Sequence, residues 1–574
     1  MQKRMSSARD ALPSSARRRT LLRSLVVASA LASSAALSVG LPAVASADTT
    51  TATTVTGRLL QAYPETAVQD PATPGGADAP LSWVETAGGS AVRIPTADVQ
   101  GVPAGSTVQL TVGGQVADPA STDGLTPAHE VLSTDVVAAP PADPPAPAAA
   151  RFTNQVTLVL VAPKGATPDR RVTVQQLTDT VDGPVSDFWS HQTGGAISIG
   201  VTAAHDWITT TADCSKPAAL WDEAAAKVGF VPGPGKHLLL YVGSASGHLE
   251  GCSYALGEVG SGPAAGGRAY VRDTIPSVIA HELGHNFGLG HSSGRQCDAA
   301  VDAGRCRTMG YRDYYDVMGV SWSQLGSLNA PQAARLGVLP AAQQQALSVR
   351  DAARTVTLAP LAGRTGTRAL RLTDADGTRY WLEYRAAVGD DAWLGTTANR
   401  FGLQAGVLLR RAGGLPDTSL LLDGTPTAAT GWDADLQDAL PVGSSVSLAG
   451  GHFTVEVQSA TADGAVVRVV PSAPAAPAPA AAPAPADRSG VVLPGGGSNP
   501  VSAAAPHAGA GRAPVPPSAS AVVATPPAAA PGTPALRPAA TSTPLGGLVL
   551  PLAGAALIGG LLVALRRLRG RTVR

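Results

Sequence analysis

An α+β architecture is what this sequence predicts: a middle segment of mixed strands and helices, Arg151–Leu347, with a small all-β region on each side. Three observations lead there. The apolar runs Val156–Val161 and His237–Val242 read as buried strands, and apolar positions spaced by three and four near Val185–His191, Ala218–Val228 and Thr274–Phe287 read as helices. Together they give a mixed twisted sheet with a helix carrying polar residues of interest. Residues 48–137 hold short alternating runs such as Thr107-Val108-Gln109-Leu110-Thr111-Val112 between Gly/Pro turns. Residues 348–470 do the same more strongly, in Thr355–Leu358, Ala369–Leu372, Tyr380–Tyr384, Val407–Leu409, Phe453–Val457 and Val466–Val470, at the spacing of a β-sandwich.

The whole chain has 574 residues with 64 Gly and 48 Pro, only 4% aromatic and 15% charged, so globular parts are diluted by low-complexity spacers. This excludes a single compact cytosolic enzyme. Lys+Arg 42 balance Asp+Glu 42, leaving no global basic field to attract nucleic acid. Residues 1–47 carry Arg17, Arg18, Arg19 and Arg23, an apolar run Leu25–Leu41 and a terminal Ala45-Ser46-Ala47, the three parts of a secretory signal peptide. Export is expected. Residues 545–565 form an uncharged apolar stretch about long enough to cross a bilayer, and the basic tail 566–574 places its end in the cytoplasm and the body outside. That predicts a single-pass transmembrane helix at the cell membrane. The pattern also resembles a cell-wall sorting signal, without its Leu-Pro-x-Thr-Gly, so shedding and cell-wall association stay open. A Pro/Ala linker spans 138–150, and a disordered Pro/Ala stalk, 471–544, holds the folded part away from the membrane.

The chemistry lies in His281-Glu282-Leu283-Gly284-His285-Asn286-Phe287-Gly288-Leu289-Gly290-His291. Ile275, Val278, Ile279, Leu283 and Phe287 make the helix amphipathic, with a core-facing stripe. His281 and His285 are four apart, so their imidazoles share one face and reach one metal. Glu282 is placed to take a proton from metal-bound water. Gly288 tolerates the positive φ that ends a helix and turns the chain back, letting His291 add a third nitrogen. Three protein ligands leave a fourth position for water, the arrangement of a catalytic zinc. A chance His-Glu-x-x-His in a chain this long occurs on the order of a few times in a thousand.

This stretch resembles the long zinc signature of the metzincin metalloproteases. The family also carries a Met in a tight turn below the metal; Asp316-Val317-Met318-Gly319 fits, with Met309-Gly310 a weaker candidate. The Asp-Val-Met-Gly form and the segments Tyr380–Arg385 and Leu420–Asp423 are similar to the gametolysin-like metzincins. The resemblance covers about Arg151 to Val470 and is close only at the zinc helix and Met-turn. It implies a zinc endopeptidase acting on extracellular protein or peptide. A Tyr two residues past the Met, present in some members, is Val320 here. By the same resemblance, Gly267–Val271 is the edge strand that pairs with extended substrate.

The four cysteines, Cys214, Cys252, Cys297 and Cys306, allow three pairings; Cys214–Cys252 with Cys297–Cys306 is favoured. No Cys lies between Asp48 and Arg151, so if the first β region is an inhibitory prodomain, it does not act through a thiolate. His205 and His248 read as solvated loop residues before cleft residues. Tyr314 and Tyr315 read as packing at the Met-turn or as oxyanion partners, and Tyr380, Leu382 and Tyr384 as core. Asp374-Ala375-Asp376-Gly377 matches no full calcium loop, so calcium is unsupported. Two other functions remain: a surface adhesion or binding protein with an inactive metzincin core, and a peptidoglycan amidase using the same zinc chemistry.

Overall fold

A computed structural model describes residues 52–65, 80–140, 152–247, 249–320, 324–427 and 435–472. The expected signal peptide, most of the linker, the stalk (apart from its first two residues), the apolar stretch 545–565 and the basic tail lie outside the described residues. Among the described residues, no helix is long and apolar enough to cross a membrane.

The α+β expectation, with a metzincin catalytic domain flanked by small all-β domains, is not what the chain forms. Strand outweighs helix, 39% to 18%, and the strands make three sheets. Two of these sheets run across the boundaries expected near 137 and 347. The largest has ten strands. On one side stand Asn154–Ala162, Ile199–Thr209, Lys236–Val242 and Gly267–Val271, parallel in every pairing among them. The apolar runs of Asn154–Ala162 and Lys236–Val242 suit burial on both faces, whereas Ile199–Thr209, at the end of the sheet, is partly exposed along most of its length. Ala255–Glu258 pairs antiparallel with Gly267–Val271, and its free edge takes Thr53–Glu65 from the N-terminal region. Through that strand, Leu81–Thr86, Ala91–Ile94, Thr107–Val116 and Ala128–Ala138 join the same sheet. Sequence alternation identifies a strand but not the neighbour whose open N–H and C=O groups it will meet, so the merger left no local sign.

The second sheet has seven strands, in the order Cys306–Met309, His291–Cys297, Asp417–Leu422, Gly406–Ala412, Arg379–Arg385, Ala369–Thr373 and Gln344–Ser348. It combines strands following the His-rich helix with strands expected in a separate sandwich. The third sheet, of four strands (Arg354–Leu358, Gly464–Pro471, Phe453–Thr461 and Ser445–Leu448), packs Phe453, Val455 and Val467 against Leu370, Leu382 and Leu409 of the second. Tyr380 and Tyr384 belong to this core.

Three expected helices appear at Ser186–Thr193, Pro217–Val228 and Pro276–Asn286. The last is not an amphipathic surface helix. From Ile279 to Asn286 it is buried on every side, with Trp189, Met318 and Phe287 in the cluster around it. A further helix, Ala330–Arg335, starts where Asn329 caps it by accepting from Gln332 N. Disulfides join Cys214 to Cys252 and Cys297 to Cys306. The second closes the hairpin directly after His291, where the two cysteines are register partners.

Candidate metal centre

The helix Pro276–Asn286 starts with Pro at its first turn, where a missing N–H costs nothing. Its end is a Schellman turn: Gly288 N donates to His285 O (2.8 Å) and Leu289 N to Gly284 O (3.1 Å). Gly288 sits at φ +86°, and a Cβ there would stand 2.9 Å from Gly260 O. The reversal delivers His291, whose N donates to Pro416 O at 2.9 Å, to the start of the next strand. His281, His285 and His291 thereby converge, with ring centroids 4.7 to 5.5 Å apart.

Two of the rings are oriented from behind. His281 Nδ1 donates to Val317 O (2.8 Å) and His285 Nδ1 to Leu289 O (2.9 Å), which turns each Nε2 lone pair toward the centre. The carbonyl holding His281 belongs to the turn Asp316–Gly319. Met318 is fully buried, and Gly284 admits it: a Cβ on Gly284 would lie 2.4 Å from Met318 Sδ. Asp316 fastens the turn, accepting from Met318 N (2.9 Å), Ser292 Oγ (2.9 Å) and Asn329 N (2.7 Å). Burial, then Asp313, push its carboxyl up to about 6. Behind lies a wholly buried ionic cluster: Arg410 pairs with Asp313 and Glu383, and Arg385 with Glu383 and Asp391. Met309, at the register partner of Gly294, is one strand away.

The fourth group at the centre comes from the N-terminal region. Glu65 Oε1 lies 3.4 Å from Nε2 of both His281 and His285 and 3.2 Å from Nε2 of His291. Glu65 is buried, and although burial opposes its ionisation, His281 and His291 hold its carboxyl well below the usual range. Tyr63 stacks on His285 with centroids 4.6 Å apart, meets His291 at 4.3 Å, and donates its hydroxyl to Pro416 O at 3.1 Å. Tyr311, at φ +59°, covers the other side of His291 at 4.0 Å. Sequence reasoning missed Glu65, Tyr63 and Tyr311. No short motif marks them, although an acidic residue ending a strand that begins just past the expected signal peptide was the one available hint.

Glu282 is completely buried and neither of its oxygens has a hydrogen-bond partner. It lies against the strand Ala255–Glu258; a Cβ on Gly257 would stand 2.6 Å from Glu282 Oε2. Burial, then Glu65, raise its carboxyl well above the ordinary range. The strand Gly267–Val271, expected at an edge, lies instead between Lys236–Val242 and Ala255–Glu258, and the latter, too short and glycine-interrupted to read as a strand, pairs on its other side with Thr53–Glu65.

Other singled-out residues go elsewhere. Tyr315 donates to Gln404 O at 2.9 Å and Tyr314 stacks on Phe401 at 4.4 Å, so neither ring points to the centre. His205 is half-buried on Ile199–Thr209, and His248 lies outside the described residues. Val320, half-buried, donates its N–H to Tyr311 O at 3.0 Å.

The residues fit a metal ion. Four ligand atoms, from Glu65, His281, His285 and His291, lie within 4.8 Å of one another in a buried setting, and the Nε2 of His281 has no hydrogen-bond partner. No protein-family model matches this chain, and no curated protein matches it.

Proposed function

We propose that this chain is an exported, surface-anchored zinc endopeptidase of the metzincin, gametolysin-like type, hydrolysing extracellular protein. One observation carries the reading: Glu282, buried with both oxygens unpartnered, follows the first of three converging histidines and adjoins the strand Ala255–Glu258. Burying a carboxyl group without hydrogen-bond partners costs free energy, which argues for a function that needs it free. The imidazole and carboxylate donor set suits zinc, and His281, His285 and His291 would hold it. Bound there, the ion supplies a Lewis acid that polarises a peptide carbonyl and brings the pKa of water toward neutrality. Glu282 accepts the proton of the attacking water and returns it to the leaving amine. The edge of Ala255–Glu258 holds an extended polypeptide by antiparallel backbone bonds. The signal-like start and the apolar stretch 545–565 support export and anchoring, with the body outside.

The test is hydrolysis of an unfolded protein by the chain and by Glu282→Gln, with metal content measured on both. Equal zinc, with a loss of roughly 10²–10⁴-fold in rate for the variant and full loss with chelator, is expected. Hydrolysis indifferent to Glu282 overturns the reading. A surface-binding protein with an inactive core is favoured by one feature, the Glu65 carboxylate standing inside the centre.

A further inference from the structure

We infer that Glu65 is a fourth protein ligand of the metal, and that the segment Ala62–Glu65 lies in the peptide-docking groove as a built-in occupant, so that the chain as made is latent. The inference rests on the peptidase reading for its consequence but not for the ligand assignment.

Three observations meet at this segment. The Glu65 Oε1 atom reaches all three Nε2 atoms within 3.4 Å, which is where a fourth ligand or a water would compete. The backbone runs antiparallel along the docking edge, with Ala62 opposite Glu258, Tyr63 opposite Gly257, Pro64 opposite Leu256 and Glu65 opposite Ala255. Flanking bonds extend the ladder, Val259 N to Gln61 O (2.7 Å) and Tyr254 N to Glu65 O (2.8 Å). The side chain beside the glutamate is fitted as well, since Tyr63 is fully buried against His285 and His291.

The segment is shaped for this place before it docks. Pro64 fixes its own φ and biases Tyr63 toward extended backbone, so less conformational freedom is lost on pairing. Ion pairs hold the neighbouring strands in position: Arg58 with Glu258 (3.0 Å), and Arg268 with both Glu85 (3.1 Å) and Glu258 (3.0 Å). A carboxylate in the water's position displaces the nucleophile, and a strand on the docking edge displaces the substrate. Both obstacles belong to one segment, so they come and go together.

The experiment uses the full chain, loaded with Co²⁺, as wild type, Glu65→Gln and Glu65→Ala. Visible absorption is recorded while acetohydroxamate, a small bidentate metal ligand, is titrated in. Closure of the site in all but about one molecule in a hundred weakens hydroxamate binding by that same factor. Binding about 100-fold tighter in both variants, with a changed cobalt spectrum before any hydroxamate is added, is expected. The isosteric Glu65→Gln guards against a folding defect, which far-ultraviolet circular dichroism reads directly. Equal hydroxamate affinity and equal spectra in all three proteins would falsify the assignment of Glu65, leaving the Glu282 comparison to decide the peptidase reading by itself. Open, hydroxamate-binding variants that hydrolyse no protein uphold the assignment and sink the peptidase instead.

Discussion

The metal centre has two walls, built differently. One is the helix Pro276–Asn286 with the turn at Met318, continuous in sequence with the histidines it positions and closed by backbone bonds, a Schellman turn and a buried ionic cluster. The other is the strand Thr53–Glu65, which reaches the centre from 220 residues away, measured to His285, and is held there by a four-residue ladder, apolar packing of Leu60 and Ala62 with Leu256 and Tyr270, one tyrosine hydroxyl and the ion pair of Arg58 with Glu258. The first wall cannot leave without unfolding the core. The second is attached through contacts of the kind a binding partner makes, which is why it can serve as an occupant.

Breaking the first wall should be the costlier change. Arg410→Met removes the buried cation between Asp313 and Glu383, leaving Asp313 without its counter-ion and Glu383 with Arg385 alone, a loss of about 3–5 kcal/mol. Urea unfolding should show it, and an unchanged midpoint would mean the cluster does not support the turn.

The helix end depends on a second buried group. His237 faces the Oδ1 atoms of Asn286 (3.0 Å) and Asn154 (2.8 Å), and burial pushes its pKa down to about 4. The unfolded chain takes up this proton near pH 6.5 and the folded chain only near 4. The stability it contributes is therefore present above pH 6.5 and falls away as the pH drops toward 4, by roughly 3 kcal/mol in all. Unfolding midpoints of wild type and His237→Gln, compared across that window, should differ in slope, with the variant the flatter. Parallel slopes would remove His237 from the account.

The second wall yields to less. Tyr63→Phe deletes only the hydroxyl bond to Pro416 O, about 1 kcal/mol. If that bond helps to seat the strand, hydroxamate affinity for the cobalt-loaded chain rises about fivefold, well short of the Glu65 variants. No change would assign the seating to the ladder and ring stacking alone.

The two walls also differ in how far they could be read from the chain. His281, His285 and His291 were legible because helix periodicity and one glycine turn settle their proximity within eleven residues. Met318 followed from the resemblance of Asp316–Gly319 to the metzincin Met-turn. Glu65 was not, because its neighbour Ala255 is chosen by sheet register over a long separation, and alternation in Thr53–Glu65 is the same whichever edge it joins. The fold class went wrong for the same reason. Thr107–Val112 and Val407–Leu409 read correctly as strands, but nothing local told that they would extend sheets belonging to the middle segment. The helix was placed well and its surroundings were not: its apolar stripe suggested one buried face, whereas sheets and loops enclose it completely.

The Pro416 carbonyl accepts two bonds, from His291 N at 2.9 Å and from the Tyr63 hydroxyl at 3.1 Å. Both lone pairs are engaged, one by the scaffold and one by the visitor. Withdrawal of the N-terminal strand would therefore leave behind more than an empty trough. It would uncover a rigid acceptor beside the third histidine, oriented by its bond to the backbone and ready for a hydroxyl or amide proton. A polypeptide taking over the groove would gain most by presenting a donor at the place where Tyr63 now presents one.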